Sequence, residues 1–243
     1  MLLIDETAHA GRWRARHPGE KAFLALGLLV LAVVLPPWPG ALLTGGAALA
    51  LLLAGARVPW RTALRLLALP LGFVLVGALP LLVTVGGDPW LAPAPDGPAR
   101  AAELVGRSLA AVACLVLFAA TTPLTDTVAR LRWIPPAVLE ITLLVYRMLF
   151  LLLDSLTAVR EAQALRMGFR TRRATFRSLA AQGGAVFVRA FDRARRLEAG
   201  LAARGYDGSL RVRVPARPVS PGFVAGSAAL LVAVPVLALA VAW

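Results

Sequence analysis

Long apolar runs dominate this 243-residue chain and restrict the folds open to it. Hydrophobic residues make up 59% of the sequence and the mean hydropathy is +0.75, too apolar for an ordinary soluble domain. Within a bilayer a segment must satisfy its own backbone hydrogen bonds, so isolated apolar runs form helices. The runs cover residues 22–35, 41–56, 66–85, 101–122 and 219–243. We therefore predict an all-α, polytopic membrane protein with about five transmembrane helices.

Three of these runs have features that disturb a regular span. The runs 22–35 and 41–56 are shorter than the roughly 20 residues that a straight span requires, so we expect ragged or tilted ends. The run 66–85 contains Pro70 and Pro80, which predict a kinked or broken helix.

Arginine is distributed unevenly along the chain. The net charge is +13, and Lys21 is the only lysine. Residues 157–217 contain fourteen arginines and four acidic residues, whereas residues 86–99 carry no positive charge. Cytoplasmic segments of membrane proteins are enriched in positive residues, so the N-terminus and residues 157–217 should lie in the cytoplasm and the 86–99 loop outside. These features predict a multi-pass protein of the cell membrane (the inner or plasma membrane).

The same charges divide the chain into three regions. Residues 1–122 form a membrane domain with four spans, residues 123–218 a cytoplasmic coupling-helix region, and residues 219–243 a C-terminal transmembrane helix. We expect Trp243 to anchor that last helix at the outer interface. The apolar run 137–153 is placed partly in the membrane without crossing it, because crossing would put the arginine-rich region outside.

Two long helices are predicted in the cytoplasmic region. Apolar residues recur every three or four positions over 171–204, which predicts an amphipathic helix, and a helix of similar length precedes it from Pro136 to about Met167. The predicted apolar stripe is Phe176, Leu179, Gly183, Phe187, Ala190, Ala194, Leu197 and Leu201. Gly183 and Gly184 weaken the helix and predict a bend or a close helix crossing.

The two long helices end in related phrases. The first reads Ala164-Leu165-Arg166-Met167-Gly168-Phe169, and the second reads Ala203-Arg204-Gly205-Tyr206. Glycine just past the last turn is the usual left-handed stop, which predicts that conformation for the glycine of each phrase. The arginine of each phrase has a structural interpretation, because a cation in the last turn complements the helix dipole. Repetition of the phrase favours two docking tips instead, since a guanidinium binds a carboxylate through two parallel hydrogen bonds.

The sequence lacks the residues that several functional classes require. Lys21 belongs to no phosphate-binding Gly-x-x-x-x-Gly-Lys-Ser/Thr loop, so ATP hydrolysis must occur on another chain. His9 and His17 are too few and too isolated for a metal site. No nucleophile, base and acid set is visible, which predicts a non-enzymatic chain with no cofactor of its own. We expect four acidic residues among the arginines to form solvated ion pairs: Asp154, Asp192, Glu198 and Asp207.

With these features the sequence resembles the transmembrane T component of energy-coupling factor transporters, most closely the cobalt-type CbiQ branch. The matching pieces cover nearly the whole chain: Leu3-Ile4-Asp5 with Trp13 and His17-Pro18, Thr122-Pro123-Leu124, Ile134-Pro135 to Tyr146-Arg147, Glu161-Ala162-Gln163 before Arg166 and Gly168, and Ala203-Arg204-Gly205-Tyr206-Asp207-Gly208.

The resemblance implies a partner for each helix end. In that family two Ala-Arg-Gly motifs end crossed cytoplasmic coupling helices and insert into grooves on two ATP-binding-cassette (ABC) ATPases, which bind the ATP. Carried over by position, the ATPase-docking residues are Ala164, Arg166, Gly168, Ala203, Arg204 and Gly205. The first motif departs from the pattern, because Leu165 and Met167 interrupt it. The resemblance also implies transport of cobalt or nickel, with the substrate held by a separate small membrane subunit.

Three other functions compete with this interpretation. A conventional ABC importer permease would form its own pathway and carry a coupling loop such as Glu161-Ala162 followed by Gly168, but that pattern expects alanine at Gln163 and glycine at Met167. A membrane-embedded enzyme would need convergent polar residues within the spans, and the first four spans contain almost none. Nucleic-acid binding rests on net charge alone; because the arginines flank apolar spans, we expect contact with the lipid bilayer and no nucleic-acid partner.

Overall fold

The computed structural model describes residues 3–85, 91–128, 130, 135–207 and 217–242. Nine α-helices lie within these ranges: α1 (Leu3–Ala10), α2 (Pro18–Val34), α3 (Pro37–Ala50), α4 (Trp60–Ala78), α5 (Gly97–Thr121), α6 (Leu124–Val128), α7 (Pro136–Leu165), α8 (Arg172–Ala202) and α9 (Pro221–Ala242). Two short strands, β1 (Val83–Val85) and β2 (Leu91–Pro93), pair antiparallel with Val83 opposite Pro93. The predicted anchor Trp243 and the segments containing Ile134 and Gly208 fall outside the described residues.

The described residues divide into two compact units, 128–207 and 3–127 together with 217–242. In the second unit, called the membrane unit here, four helical segments are long and apolar enough to cross a bilayer: Pro37–Gly55, Trp60–Leu82, Gly97–Thr121 and Pro221–Val241. The apolar helix α2 has 17 residues and extends about 25 Å. These helices confirm the prediction of an all-α, polytopic membrane protein.

Helix α2 begins before the apolar run that predicted it. Its first residue is Pro18, which suits the first helical position because proline has no amide hydrogen to leave unpaired. The Nδ1 atom of His17 accepts a hydrogen bond from the amide of Gly19 at 3.0 Å and so caps the helix. The cap therefore adds four residues to the N-terminal side of the predicted run, which began at Ala22.

Helix α5 lies at the centre of the membrane unit and packs against α1, α2, α3 and α4. Its inner face is built from small side chains, and Ala110, Ala113 and Cys114 are buried. A Cβ placed on Gly45 of α3 would lie 3.3 Å from the Cα of Ala110. Small residues thus let the two backbones approach closely, which favours helix association in lipid, where van der Waals packing replaces the hydrophobic effect.

A buried polar cluster holds the ends of the membrane helices together. Lys21 is 1% exposed, and its ammonium donates hydrogen bonds to the carbonyl oxygens of Thr121 at 2.6 Å and Trp13 at 3.3 Å. The neighbouring Glu20 is also buried, and its carboxylate accepts a hydrogen bond from the amide of Ser220. The only lysine of the chain therefore joins the segment before α2 to the C-terminal end of α5, where its hydrogen bonds offset the cost of burial.

The α4 region differs from the sequence-based expectation in one detail. Helix α4 continues through Pro70, and the change of helical geometry comes at Pro80, where a 3-10 turn covers Leu79–Leu82. Proline is tolerated at the start of a new turn because its missing amide hydrogen has no helical partner there. The β1–β2 hairpin follows and adds a small strand component to the all-α fold.

The unit formed by residues 128–207 consists mainly of α7, with 30 residues, and α8, with 31 residues. Residues near the end of α7 contact the start of α8, and residues near the start of α7 contact the end of α8. The contacts are Gln163 with Ser178, Ser155 with Arg189, and Glu140 with Tyr206, which directly follows α8. The two helices therefore run antiparallel. Their observed ends, Leu165 and Ala202, lie two residues before the predicted ends.

The predicted apolar stripe of α8 is buried only in part, at Ala190, Leu197 and Leu201. Phe176, Leu179 and Phe187 of that stripe are exposed, whereas Gln182 is buried and its side-chain amide donates to Oε1 of Gln163 at 2.7 Å. Two amide side chains can be buried together because they satisfy each other's hydrogen-bonding groups. The spacing of apolar residues does not predict this contact with α7, because a polar pair forms it.

The prediction of a close helix crossing at the glycine pair is wrong for the part of the chain that the structure describes. Helix α8 is continuous through Gly183 and Gly184, and apart from its own backbone no described atom lies within 4 Å of a Cβ built at either position. The glycines are not required there for packing. Their effect on α8 is the intrinsic weakening of a helix by glycine.

Candidate docking tips at two helix ends

Two reversed hydrogen bonds close the C-terminal end of α7. The amide of Gly168 donates to the carbonyl of Gln163 at 2.8 Å, and the amide of Met167 donates to the carbonyl of Ala164 at 3.0 Å. Met167 has a φ of +59°, in the left-handed region. This combination is the Schellman motif, which satisfies the last carbonyl groups of a helix. Arg166 is the capping residue and directly precedes the left-handed one.

The C-terminal end of α8 has the same geometry. The amide of Tyr206 donates to the carbonyl of Leu201 at 3.1 Å, and the amide of Gly205 donates to the carbonyl of Ala202 at 3.0 Å. Gly205 has a φ of +72°. Arg204 directly precedes this left-handed residue, as the arginine of the first end does. We call these two helix ends the first tip (residues 164–168) and the second tip (residues 202–206).

The shared hydrogen-bonding pattern sets the structural register of the two tips. Equivalent positions are Ala164 and Ala202, Leu165 and Ala203, Arg166 and Arg204, Met167 and Gly205, and Gly168 and Tyr206. The prediction that Gly168 is a left-handed stop is wrong, because Met167 adopts that conformation instead. Gly168 has another role: a Cβ there would lie 2.6 Å from Oγ of Ser178 and 2.9 Å from the carbonyl oxygen of Gln163.

Both arginines point into solvent. Arg166 and Arg204 are exposed, and neither guanidinium forms a hydrogen bond or an ion pair with any other residue that the structure describes. Leu165 and Met167 flank the first arginine and are 86% and 69% exposed. At the second tip the equivalent positions hold alanine and glycine, so that tip is narrower. A free guanidinium on a projecting helix end is available to bind a carboxylate of a partner.

The tips lie at opposite ends of the antiparallel helix pair. The first tip follows α7 directly before the turn into α8, and the second tip follows α8 beside the N-terminal end of α7. A helix of 31 residues extends about 46 Å. The two arginines are therefore separated by roughly the length of one long helix.

A cluster of hydrogen bonds supports the first tip. Oγ of Ser178 donates to the carbonyl of Gly168 at 2.8 Å, and the side-chain amide of Gln163 donates to the carbonyl of Ser178 at 3.2 Å. The Gln163–Gln182 bond continues the cluster across the two helices. These contacts fix the turn between α7 and α8 and, with it, the direction in which Arg166 projects.

A side-chain contact between the helices supports the second tip. The hydroxyl of Tyr206 donates a hydrogen bond of 2.6 Å to Oε1 of Glu140, which is a typical length for a bond to a carboxylate. This hydrogen bond, reinforced by nearby negative charge, raises the pKa of Tyr206 above its ordinary value of about 10. The phenol therefore keeps its proton, and acts as a donor, throughout the neutral pH range.

The acidic residues of this unit do not neutralise its arginines as expected. Among the described residues, Asp154, Asp192 and Glu198 form no ion pair, so this part of the prediction is wrong. Arg196 illustrates the reason: its Nε donates to the backbone carbonyl of Asp192 at 3.3 Å instead of to the carboxylate. The described part of the chain also contains no group of three His, Cys, Asp or Glu side chains placed to hold a metal ion.

Comparison with known proteins gives these two tips a context. A family model described as "Cobalt transport protein", CbiQ, matches residues 10–215. The chain belongs to the CbiQ family. The cobalt transport protein CbiQ of Rhodobacter capsulatus is 46% identical over 228 residues, which cover 93% of each chain. The CbiQ of Salmonella typhimurium is 30% identical over 232 residues, which cover 87% of this chain and all of the relative.

A third CbiQ relative has an additional part. A protein of Methanocorpusculum labreanum described as a putative fused cobalt transport protein CbiMQ is 25% identical over 233 residues. The match covers 90% of this chain but 39% of that relative. Membership of the CbiQ family confirms the resemblance seen in the sequence and identifies the chain as a membrane component of a cobalt transport system.

Sequence reasoning found both arginines but missed the residues that hold them in place. Nothing in the first phrase distinguishes Met167 from an ordinary helical methionine. The Gln163–Gln182 pair joins two helices, so its partners are not visible in either helix alone. Tyr206 directly follows a motif glycine, and an aromatic residue at that position was the one available signal for a supporting contact.

Proposed function

We propose that this CbiQ-family chain is the non-catalytic coupling subunit, or T component, of an energy-coupling factor importer for cobalt or nickel. Two ABC ATPases bind and hydrolyse the ATP, and a separate small membrane subunit binds the substrate. This chain holds no cofactor and connects the ATPases to that subunit. The observation that carries the proposal is a pair of helix caps with the same hydrogen-bonding pattern, each of which exposes an arginine that has no partner among the described residues.

The geometry of α7 and α8 suits a coupling role. The two tips are about 46 Å apart, far enough for each to engage a different protein. A hydrogen bond supports each tip. Gln163 bonds with Ser178 at the first tip, and Glu140 bonds with Tyr206 at the second. A displacement of either tip is therefore transmitted along a hydrogen-bonded helix and to its neighbour.

The chemistry of the tips indicates the kind of groove that receives them. A guanidinium forms short, charge-assisted hydrogen bonds with carboxylates, so we expect an acidic residue in the groove of each ATPase. Ala203 and Gly205 leave little side-chain bulk around Arg204. In the first ATPase-docking set, Ala164, Arg166 and Gly168, the arginine is instead flanked by the exposed side chains of Leu165 and Met167. We therefore expect the first groove to be wider and more apolar than the second.

Two further features support this proposal. A relative described as a fused CbiMQ joins a CbiQ-like part to further sequence, as expected if this chain works beside another transport subunit. The arginine excess of residues 157–217 favours the cytoplasmic face of the cell membrane for the N-terminus and both tips, where the ATPases have access to ATP.

Alanine substitution of the tip arginines tests the proposal. Arg166→Ala and Arg204→Ala should each weaken ATPase binding by on the order of 10- to 100-fold, the effect of losing charge-assisted hydrogen bonds worth about 1.5–3 kcal/mol. The double variant should abolish cobalt uptake. Co-purification of the ATPases and uptake of radioactive cobalt by cells give the two readouts. Arg177→Ala, which removes an exposed arginine from the body of α8, is the matched control and should retain both.

The outcomes separate this role from a conventional permease. Unchanged assembly and uptake in the double variant, with a normal melting temperature, would show that the tips are not the docking sites. Vesicles that contain only this chain and the two ATPases should not accumulate cobalt, because the substrate-binding subunit is missing. Accumulation in those vesicles would instead establish that the chain forms its own substrate pathway.

A further inference from the structure

A cleft opens between α7 and α8, midway between the two tips. Its volume is about 620 Å³, and four arginines line it: Arg147 from α7 and Arg189, Arg193 and Arg196 from α8. The proposed docking role uses Arg166 and Arg204 at the helix ends, so it does not account for these four. The cleft is a separate feature of the same unit.

The positive charge of this cleft is not balanced by ion pairs within the part of the chain that the structure describes. None of its four guanidinium groups forms an ion pair with a carboxylate among the described residues. Arg189 donates to Oγ of Ser155, and Arg196 donates to the carbonyl of Asp192. Both acceptors are uncharged groups, so the mutual repulsion of the arginines remains. Such a site attracts an anion that has several acceptor oxygens.

The inner surface of the cleft is apolar. Met148, Leu151 and Leu152 of α7 and Leu197 of α8 line it alongside the arginines and are partly buried. A small hydrated anion would contact the arginines but would leave this apolar surface in water. A ligand that combines an anionic head with a hydrocarbon chain would cover both parts.

The apolar surface of the cleft continues onto the outside of α7. Four apolar side chains spaced by three or four residues form an exposed stripe: Val138, Ile141, Val145 and Leu149. Residues three apart are neighbours on a helix, so Leu149 of the stripe adjoins Leu152 of the cleft. A hydrocarbon chain that lies along the stripe therefore leads into the arginine-lined cleft.

We propose that this cleft binds the headgroup of an anionic phospholipid. The arginines bind the phosphate, and an acyl chain extends over the leucines of the cleft and the stripe of α7. An acidic segment of a partner protein would pair with the arginines but would leave the continuous apolar surface exposed to water. The bound lipid would hold the α7–α8 pair against the bilayer surface, independently of the tips.

Lipid binding by the full-length chain, purified in detergent, tests this assignment. The probes are phosphatidylglycerol, phosphatidylcholine with the same acyl chains, and inorganic phosphate. Native mass spectrometry reports the number of lipids retained, and a lipid titration gives the apparent Kd. We expect one tightly retained phosphatidylglycerol, at least tenfold weaker binding of phosphatidylcholine, and no competition by millimolar phosphate.

A pair of charge-matched variants connects the binding to the cleft. Arg193→Gln with Arg196→Gln should weaken phosphatidylglycerol binding at least tenfold more than Arg173→Gln with Arg177→Gln does. The control pair also lies on α8 and removes the same charge, but it does not line the cleft. Arg193→Lys with Arg196→Lys keeps the charge and should retain most of the affinity, and circular dichroism should show equal helix content in all variants.

Each other outcome contradicts the proposal. An equal loss in the two glutamine pairs would indicate non-specific attraction to surface charge. Competition by inorganic phosphate would indicate a site for a free anion instead of a lipid. Loss of the retained lipid when the chain is assembled with its ATPases and membrane partner would indicate that the cleft receives an acidic segment of a protein. Undiminished phosphatidylglycerol binding by the variant Arg193→Gln with Arg196→Gln would show that these arginines do not bind the lipid.

Discussion

Met167 occupies a backbone position that normally belongs to glycine. Its φ of +59° places it in the left-handed region, which costs roughly 1–2 kcal/mol for a residue with a Cβ. The equivalent residue of the second tip, Gly205, adopts a φ of +72° without that cost. The two tips thus share hydrogen bonds but differ in strain, and the strain is located next to a proposed docking arginine.

Exchanging the residue types at these positions should have opposite effects on the two caps. Met167→Gly should stabilise the first cap by about 1 kcal/mol, and Gly205→Ala should destabilise the second by about the same amount. Hydrogen exchange of the Gly168 and Tyr206 amides, which donate the longest-range cap bonds, measures each effect locally. We expect about fivefold slower exchange at Gly168 and about fivefold faster exchange at Tyr206. Changes in the same direction at both caps would contradict this account.

The helix pair α7–α8 uses glycine for two different purposes. At Gly168 a Cβ would collide with Ser178 and with the backbone carbonyl of Gln163, so the turn requires the absence of a side chain. At Gly183 no other described residue comes within 4 Å of a Cβ, so the effect of this glycine is to weaken α8. The same residue type therefore has opposite consequences at two positions of one element pair.

Substituting alanine for Gly168 and, separately, for Gly183 distinguishes the glycine that close packing requires from the glycine that only weakens the helix. Gly168→Ala should destabilise the α7–α8 unit, because one clashing atom, at 2.9 Å, belongs to the backbone and cannot move independently. Gly183→Ala should stabilise it by about 1 kcal/mol through helix propensity. Thermal unfolding of the purified chain, followed by circular dichroism at 222 nm, shows whether each variant has a lower or a higher melting temperature. Adding Ser178→Ala to Gly168→Ala should rescue the loss only in part, since the carbonyl contact remains; full rescue would mean that the serine was the sole obstacle.

The whole molecule combines a membrane unit with a unit that carries both tips. Four helical segments of the membrane unit can cross a bilayer, and α2 is a shorter apolar helix beside them. The arginine distribution predicts that the 86–99 loop faces outside and that α8 faces the cytoplasm. This orientation also requires that the apolar part of α7 does not cross, which makes the side on which α8 lies a direct test of that prediction.

Cysteine labelling on intact cells decides the orientation. Cys114 is the only cysteine and is buried, so Cys114→Ala provides a background without thiols. In that background, Pro95→Cys and Gly183→Cys each introduce one exposed thiol. A membrane-impermeant maleimide should label Pro95→Cys on intact cells and label Gly183→Cys only after permeabilisation. Labelling of Gly183→Cys on intact cells would show that α7 crosses the membrane or that the orientation is reversed.

The tertiary structure changed some sequence-based conclusions more than others. Helix ends were predicted to within two residues at α7 and α8, because capping depends on a few neighbours in the chain. The burial of Gln182 on α8 was not predicted, because it depends on Gln163, nineteen positions away. Both tip arginines were expected in the last helical turn, but α7 ends at Leu165 and α8 at Ala202, so each arginine lies just past its helix. Their ATPase-docking role stays a prediction.

The sequence by itself determined the membrane class, the long helices, the family and the two arginine ends. Those properties follow from the length of apolar runs, the positions of charges and short motifs, all of which act locally along the chain. Only the tertiary structure decided that Met167 is the left-handed residue, that Gly168 is needed for close approach, and that four arginines line one cleft. Each of these depends on which atoms of a second helix lie nearby, and the order of residues does not contain that distance.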